Sequence, residues 1–384
     1  MNGIISIYKE RGMTSFDVVA EVRRIFGTRK AGHGGTLDPM AEGVLPVFIG
    51  NATKAADYCP DNTKQYLAGF QFGLTTDTQD ISGKVLAVND QYVSRNKMPM
   101  IERLFTGELM QVPPMYSAVK VNGQRLYDLA RRGQTVERKP RPVTIHELKI
   151  QRYEDNRGEM LVTCSKGTYI RTLINDIGNE LGVGGVMTSL VRTKSGMFTL
   201  ENSYRLSELE GMSDRELEAV LMPLEKLYEQ LPKANLDEQQ TKLFRNGATL
   251  DADRIRFDYI YDMGYYIEGS DGVFLGVGII DSNHSLKVVR RFNTETGKPE
   301  PSDGEDNEEG TEKVSEAVFA AEGKGDSGNE TIVDNKTDTG NAGSDNEINV
   351  GGGDNFAEET NMGNETENGG ADEEQPAKDK AVEQ

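Results

Sequence analysis

An α+β protein is predicted: a mixed sheet with flanking helices and loops, then a small β-rich module, then an acidic tail. Three observations predict it. Strand-like and helix-like periods are interleaved without a regular βαβ repeat, the runs become short and β-like from about residue 231, and the composition changes abruptly after residue 296.

Ser15-Phe16-Asp17 supplies a capping residue, and Val18, Val19, Val22, Ile25 and Phe26 follow at helical spacing, so a first helix is expected over about 17–26. The next stretch, Arg29 to Pro39, holds three glycines and a proline and reads as an irregular loop shaped to present something. Lys64 to Gly73 alternates, with Tyr66, Ala68, Phe70 and Phe72 on one face, which predicts a strand. Met160 to Ser165 alternates likewise. Ile170, Leu173, Ile174, Ile177 and Leu181 then form an amphipathic helical stripe that ends at Gly182. The first domain should close near Tyr228. Beyond it, a short helix over Glu238–Phe244 and runs at Tyr265–Glu268, Val273–Ile280 and Leu286–Phe292 predict the β-rich module.

Of the 384 residues, 63 are acidic and 43 basic, yet this surplus sits in one place. Residues 297–384 carry 25 Asp/Glu against 6 Lys/Arg, a net charge of −19, which leaves residues 1–296 close to neutral. With Phe319 and Phe356 as its aromatics, this tail cannot offset the entropy of ordering and is expected to be disordered. By contrast Lys120 to Pro142 has seven basic residues against Asp128 and Glu137. That density fits either a solvated helix face or a phosphate-gripping segment.

Several chemistries lose support. The chain has no GxxxxGK[ST], HExxH, GxSxG or strand-to-helix GxGxxG motif, which disfavours ATPases, zincins and common hydrolases. Its histidines, His33, His146 and His284, are not spaced to chelate a metal with Cys59 or Cys164, so a metal-free mechanism is expected. Met1 to Ser15 lacks a signal-peptide pattern and no apolar run approaches a membrane span; a cytoplasmic protein with no membrane partner is expected.

Asp38 stands out, because a carboxylate before a proline is held extended, among glycines that admit close approach of a ligand. A loop aspartate accepting turn hydrogen bonds would share the pattern.

Gly32 to Pro46, with the core Gly34-Gly35-Thr36-Leu37-Asp38-Pro39, resembles the catalytic motif of the TruB family of tRNA pseudouridine synthases. The resemblance continues through Lys9…Gly12-Met13-Thr14-Ser15, Lys64 and Tyr66, Pro113 to Lys120, Gly167-Thr168-Tyr169-Ile170-Arg171 and Leu190 to Phe198. It is strong over residues 2–228 and weak over 229–292. One departure is Glu10, where the family usually has proline.

The resemblance implies a largely antiparallel catalytic sheet of the pseudouridine synthase type over 1–228, with an RNA-gripping insertion at about 114–142. A PUA-like RNA-binding module would occupy 229–296. It implies isomerisation of the T-loop uridine at tRNA position 55. Asp38 would be catalytic, Tyr66 would pack on the target base, Arg171 would partner Asp38, and His33 would occupy or support the stack vacated by the flipped uridine. Tyr169 and Leu190 would line the pocket. RNA contacts would come from Lys9, Lys64, Lys120, Arg125, Arg131 and Arg132, and further from Arg138, Lys139, Arg141, Arg192 and Lys194. The partner is then the T arm and loop of tRNA, with no obligate protein partner and a monomeric chain.

The chemistry is consistent with such residues. Moving uracil from N1 to C5 attachment gains and loses no atom, so no cofactor is required. An Asp beside Arg⁺ is expected to titrate about 1–3 units below its usual value and to be ionised at neutral pH. Attack at C1′, attack at C6 and removal of the 2′ proton are the roles open to it. Flipping the base costs a few kcal/mol, and stacking on a tyrosine returns roughly 1–3 kcal/mol. Two rivals are a tRNA-folding chaperone, which needs no carboxylate, and a nucleoside glycosidase using Asp38 with Glu42.

Overall fold

A computed structural model describes residues 1–121, 123–255 and 257–292. The acidic tail expected over 297–384 lies outside the described residues.

The main sheet runs in the order Gly3–Lys9, Glu42–Ile49, Gly185–Ser195, Lys64–Phe72, Arg157–Cys164, Arg141–Glu154, Gly107–Gln111. Neighbours pair antiparallel except Gly185–Ser195 with Glu42–Ile49, which meet in parallel through Val191↔Glu42 and Arg192↔Gly43. The sheet is thus mixed and largely antiparallel, as predicted. The parallel junction needs Gly43: its φ is +103°, and a Cβ there would lie 2.3 Å from the Arg192 carbonyl oxygen.

Lys64–Phe72 buries Tyr66, Ala68, Phe70 and Phe72 on the predicted face. The helix Ile170–Glu180 covers that face and buries Ile170, Leu173, Ile174 and Ile177, each at 4% exposure or less. At about 1.5–3 kcal/mol per buried aliphatic side chain, these four fix the helix firmly enough to hold a cation at its first turn. On the other side the helix Ser15–Ile25 packs Val18, Val19 and Val22 against Ile5, Ile7, Leu45 and Val47.

Two local expectations are corrected. The cap of the first helix is Thr14, whose hydroxyl accepts from Asp17 N while Asp17 accepts from Thr14 N. Ser15 has another task, described below. Within the stretch read as wholly irregular, Ala31–His33 forms a short strand against Val47–Ile49, because that edge of Glu42–Ile49 is open for pairing. The glycine-rich loop begins only at Gly34.

The second sheet is ordered Lys233–Asn235, Gly264–Glu268, Phe274–Ile280, Ser285–Arg291, Leu250–Asp251, with a helix at Glu238–Arg245. Its own core holds Phe244, Tyr265, Ile267 and Leu286. A separate apolar cluster joins it to the first sheet, with Tyr228 stacked on Phe274 and Phe292 and packed with Ile4, Val44 and Phe48. The described residues accordingly fall in one compact unit.

Candidate active site

The glycine-rich loop is set from beneath before it reaches Asp38. Ser15 Oγ accepts from Leu37 N at 2.8 Å and donates to Leu37 O at 3.2 Å, clamping the residue before the aspartate. Lys9, fully buried, donates to the carbonyls of Glu10, Met13 and Ala41 at 3.1, 2.7 and 2.6 Å. Burial lowers its ammonium to about 8. Arg192, 1% exposed, donates to Val44 O at 2.6 Å and to Gly35 O at 3.2 Å. The Asp38 carbonyl accepts from Ala41 N in a turn, so the carboxylate is left for other work.

That carboxylate meets Arg171, with Nε 3.0 Å from Asp38 Oδ2. Arg171 is the second residue of its helix, where the macrodipole disfavours a cation by about 0.3–1 kcal/mol. Its surroundings outweigh that cost. Nη1 donates to Thr78 O at 3.1 Å, Nη2 donates to Tyr116 O at 3.0 Å, and Asp80 Oδ2 stands 3.6 Å from Nη1. Arg171 is 6% exposed and Asp80 5%, so this is a buried network and not a surface pair. Asp80 is oriented in turn, its Oδ1 accepting from Thr78 Oγ1, Ser82 N and Ser82 Oγ. The helix entrance is fixed by Gln111, whose amide donates to Tyr169 O at 3.1 Å and whose Oε1 accepts from Tyr169 N at 2.8 Å.

The electrostatics correct one expectation. Burial raises the Asp38 carboxyl above its usual range and Asp80 adds to the rise, while Arg171 and then Lys9 oppose it. Desolvation therefore outweighs the arginine, opposite to the lowering expected. Tyr66 is also raised by burial, with Arg192 opposing, which keeps the phenol neutral as a stacking and hydrogen-bonding surface. Lys64 is lowered to about 8, first by burial and then by Arg192.

These groups share one cavity of about 1510 Å³. Asp38, Tyr66, Arg171, Tyr169 and Leu190 all line it, as do Lys64, Arg192, Arg125 and Arg131. Its volume exceeds the roughly 300–1,000 Å³ of small-molecule sites and suits a looped polymer. Arg125 and Arg131 flank Tyr127, at 5.9 and 5.5 Å from its ring centroid, beside the short helix Leu126–Arg131.

Other expected site residues lie elsewhere. His33 is half-buried outside the cavity lining, its Nδ1 buried with no partner among the described residues, and burial followed by Arg192 lowers its pKa. Lys9 and Arg192 were expected on RNA phosphate; with both buried on backbone carbonyls, they brace the loop and the floor. Lys120, Arg132, Lys139 and Arg141 are exposed beyond the lining, Lys194 is half-buried outside it, and Arg138 donates to Pro113 O at 3.1 Å. Glu42, the second carboxylate of the glycosidase rival, accepts from Tyr8 OH at 3.1 Å and is not in the lining. Glu10 pairs on the surface with Arg205 at 2.7 Å.

Sequence reasoning missed Asp80, Gln111 and the clamp by Ser15. Asp80 lies in the polar run Thr75 to Ser82, which signals a turn and nothing more; Gln111 carries no local signal.

Two family models match in tandem: TruB family pseudouridylate synthase (N terminal domain) over residues 23–170, and tRNA pseudouridylate synthase B C-terminal domain over 171–229. The chain is 46% identical over 290 residues to tRNA pseudouridine synthase B of Lachnoclostridium phytofermentans, covering 72% of this chain and 94% of that protein. It is 44% identical over 296 residues to the Clostridium kluyveri protein of the same name, covering 76% and 100%. Among solved structures, an H/ACA RNP bound to a substrate RNA containing 2′-deoxyuridine superposes with a TM-score of 0.58 at 25% identity, covering 78% of this chain and 87% of that one. A Cbf5-Nop10-Gar1 complex gives 0.57 at 27% identity, covering 77% and 84%. A chain with this sheet, this loop and these relatives belongs to the TruB family of tRNA pseudouridine synthases.

Proposed function

We propose that the protein isomerises the T-loop uridine at tRNA position 55 to pseudouridine, with Asp38 as the essential carboxylate. The observation that carries this reading is the Asp38–Arg171 ion pair in the lining of the cavity that Tyr66 shares. Relatives bearing the name tRNA pseudouridine synthase B support the substrate. A flipped uracil between Tyr66 and Leu190 would recover on the aromatic face much of the cost of leaving its stack. Asp38, ionised in its pair with Arg171, then serves as nucleophile or base while the glycosidic bond breaks and the uracil rejoins through C5. Arg171 supplies positive charge beside the reacting carboxylate without competing as a proton donor, since guanidinium stays protonated. Around this centre Lys64, Arg125 and Arg131 would hold phosphates, and the second sheet would serve as a PUA-like RNA contact.

The test incubates the protein and its Asp38→Ala variant with an unmodified tRNA transcript, maps pseudouridine and quantifies free uracil. Pseudouridine at position 55 from the unsubstituted protein alone, with no free uracil, is the expected result. Binding and refolding of tRNA by both, with no modification, would replace the enzyme by a chaperone; release of uracil would replace it by a glycosidase.

A further inference from the structure

We propose that Gln79 is a positioning residue for Arg171: its left-handed backbone and its side-chain amide together hold the turn over residues 75–82 so that the guanidinium is aimed at Asp38. The inference rests on the reading above that Asp38 reacts, and it adds a residue that acts through another. Three observations carry it.

The first is a backbone outlier. Apart from glycines, the described residues with a left-handed φ are Gln79 at +63°, Asp155, Asn156, Asp262 and His284. Asp, Asn and His adopt this region most readily, whereas a glutamine there is strained, and such strain persists only where the surroundings over-determine it. Gln79 is placed in this way. Its carbonyl accepts from Met187 N at 3.1 Å, and Met187 O accepts from Ile81 N at 2.9 Å, which pins the turn to the strand Gly185–Ser195. Its side chain reaches towards the helix Ile170–Glu180. Oε1 accepts from Thr172 Oγ1 at 2.8 Å, and Thr172, 2% exposed, directly follows Arg171.

The second observation is what the kink accomplishes. Arg171 Nη1 meets two groups of this turn, Thr78 O at 3.1 Å and Asp80 Oδ2 at 3.6 Å, one on either side of Gln79. Bringing a carbonyl and a side chain two residues later onto one nitrogen requires the chain to fold back between them, and the left-handed residue makes that fold. With Nη1 fixed there and Nη2 donating to Tyr116 O, the planar guanidinium is held in one orientation, and its Nε faces Asp38 Oδ2 at 3.0 Å. The third observation is the residue type. Glycine would adopt this φ without strain and asparagine tolerates it, but glycine has no amide and asparagine is one methylene short of the reach to Thr172. The strained residue is the one whose length closes the contact.

The test measures single-turnover pseudouridine formation on unmodified tRNA transcript by the unsubstituted protein, Gln79→Gly, Thr172→Val, Thr172→Ser and the Gln79→Gly/Thr172→Val pair. RNA affinity is read by fluorescence anisotropy and stability by urea denaturation. Gln79→Gly removes the amide while relieving the backbone, so its urea midpoint and RNA affinity are expected to stay close to those of the unsubstituted chain. Its plateau rate is expected to fall about tenfold, because a guanidinium turned aside misplaces the reacting carboxylate. Thr172→Val deletes the same bond from the other side and should lower the rate by a similar factor, Thr172→Ser should retain it, and the paired variant should be no slower than either alone. The pH profile adds a readout that lost packing would not move. Arg171, Asp80 and Lys9 are the charged groups that act on Asp38, and a guanidinium turned aside opposes its raised pKa less, so the acid limb of the Gln79→Gly protein should lie at higher pH. An unchanged rate and acid limb in Gln79→Gly would overturn the proposal while leaving the Asp38 reaction standing. A rate that falls only in step with the urea midpoint or RNA affinity would overturn it as well, since that marks a purely structural role. No pseudouridine from the unsubstituted protein would sink the reaction and this role together.

Discussion

Replacing Arg171 by methionine tests the electrostatic logic of the site most directly. The side chain is similar in length, but the cation 3.0 Å from Asp38 is gone, and Asp38 is left with burial and the nearby Asp80 charge, both of which raise its pKa. At 3.0 Å and an effective dielectric constant of about 20 the pair attracts by about 5 kcal/mol. Asp38 keeps 38% of its side chain exposed to the cleft, and solvent screening reduces the usable part. A further rise of the Asp38 pKa is therefore expected, since burial and Asp80 then act unopposed by the guanidinium. The sign is fixed by the form proposed to react: on the proposed role of Asp38, activity requires the carboxylate and is lost as pH falls through the pKa, so a higher pKa moves that acid limb upward. The assay is single-turnover pseudouridine formation on unmodified transcript between about pH 4.5 and 9. Arg171→Lys, which keeps the charge without the planar fork, should hold the limb near its original position while lowering the plateau. A folded, RNA-binding Arg171→Met protein whose acid limb stays put or moves downward would refute the reasoning.

Asp80→Asn removes the charge that raises Asp38, so the acid limb should move to lower pH, read in the same profile. Gln111→Ala strips Tyr169 N of its acceptor, while Tyr169 O keeps its bond from Leu173 N; one unsatisfied backbone N–H predicts about 1–3 kcal/mol of lost stability in urea denaturation. Ser15→Ala should leave helical circular dichroism unchanged, because Thr14 is the cap, yet reduce the single-turnover rate by releasing Leu37. Lys64, lowered to about 8, loses its charge as pH rises through that value, so RNA affinity should weaken between pH 7 and 9. Lys64→Gln, titrated by anisotropy, should abolish that pH-dependent step.

Elements packed on one face were legible, because alternation or helical period records which side is buried. Lys64–Phe72 and Ile170–Glu180 are of this kind. The strand Gly3–Lys9 was not, since it is buried almost throughout between the two layers, and a continuous apolar run carries no period. Arg141–Glu154 escaped for another reason: its register with Arg157–Cys164 shifts twice, between Ile145 and Glu147 and between Ile150 and Arg152, which breaks the alternation. Of the residues singled out by the motif resemblance, Asp38, Tyr66, Arg171, Tyr169 and Leu190 line one cavity, and His33 lies outside that lining. Asp80 was illegible because its importance comes from a contact across 91 positions with Arg171. No local pattern encodes that pairing. The direction of the Asp38 shift was misjudged because the sequence names a charged partner but does not reveal how much solvent is excluded.

Much of the site's chemistry is gathered on one guanidinium. Arg171 contacts the glycine-rich loop through Asp38, the Thr75–Ser82 turn through Thr78 and Asp80, and the basic insertion through the Tyr116 carbonyl, while its own helix is anchored in the core. Four segments distant in sequence are thus tied at a group that cannot be deprotonated. Burying such a cation is tolerable only when its surroundings supply acceptors, and here two carboxylates and two carbonyls do so. Because one of those carbonyls belongs to the insertion whose Arg125 and Arg131 face the cleft, the segment that would grip phosphate and the carboxylate proposed to react are mechanically linked through a single side chain. Arg171 therefore gives the insertion a direct mechanical route to Asp38, one that a surface ion pair between flexible side chains could not supply.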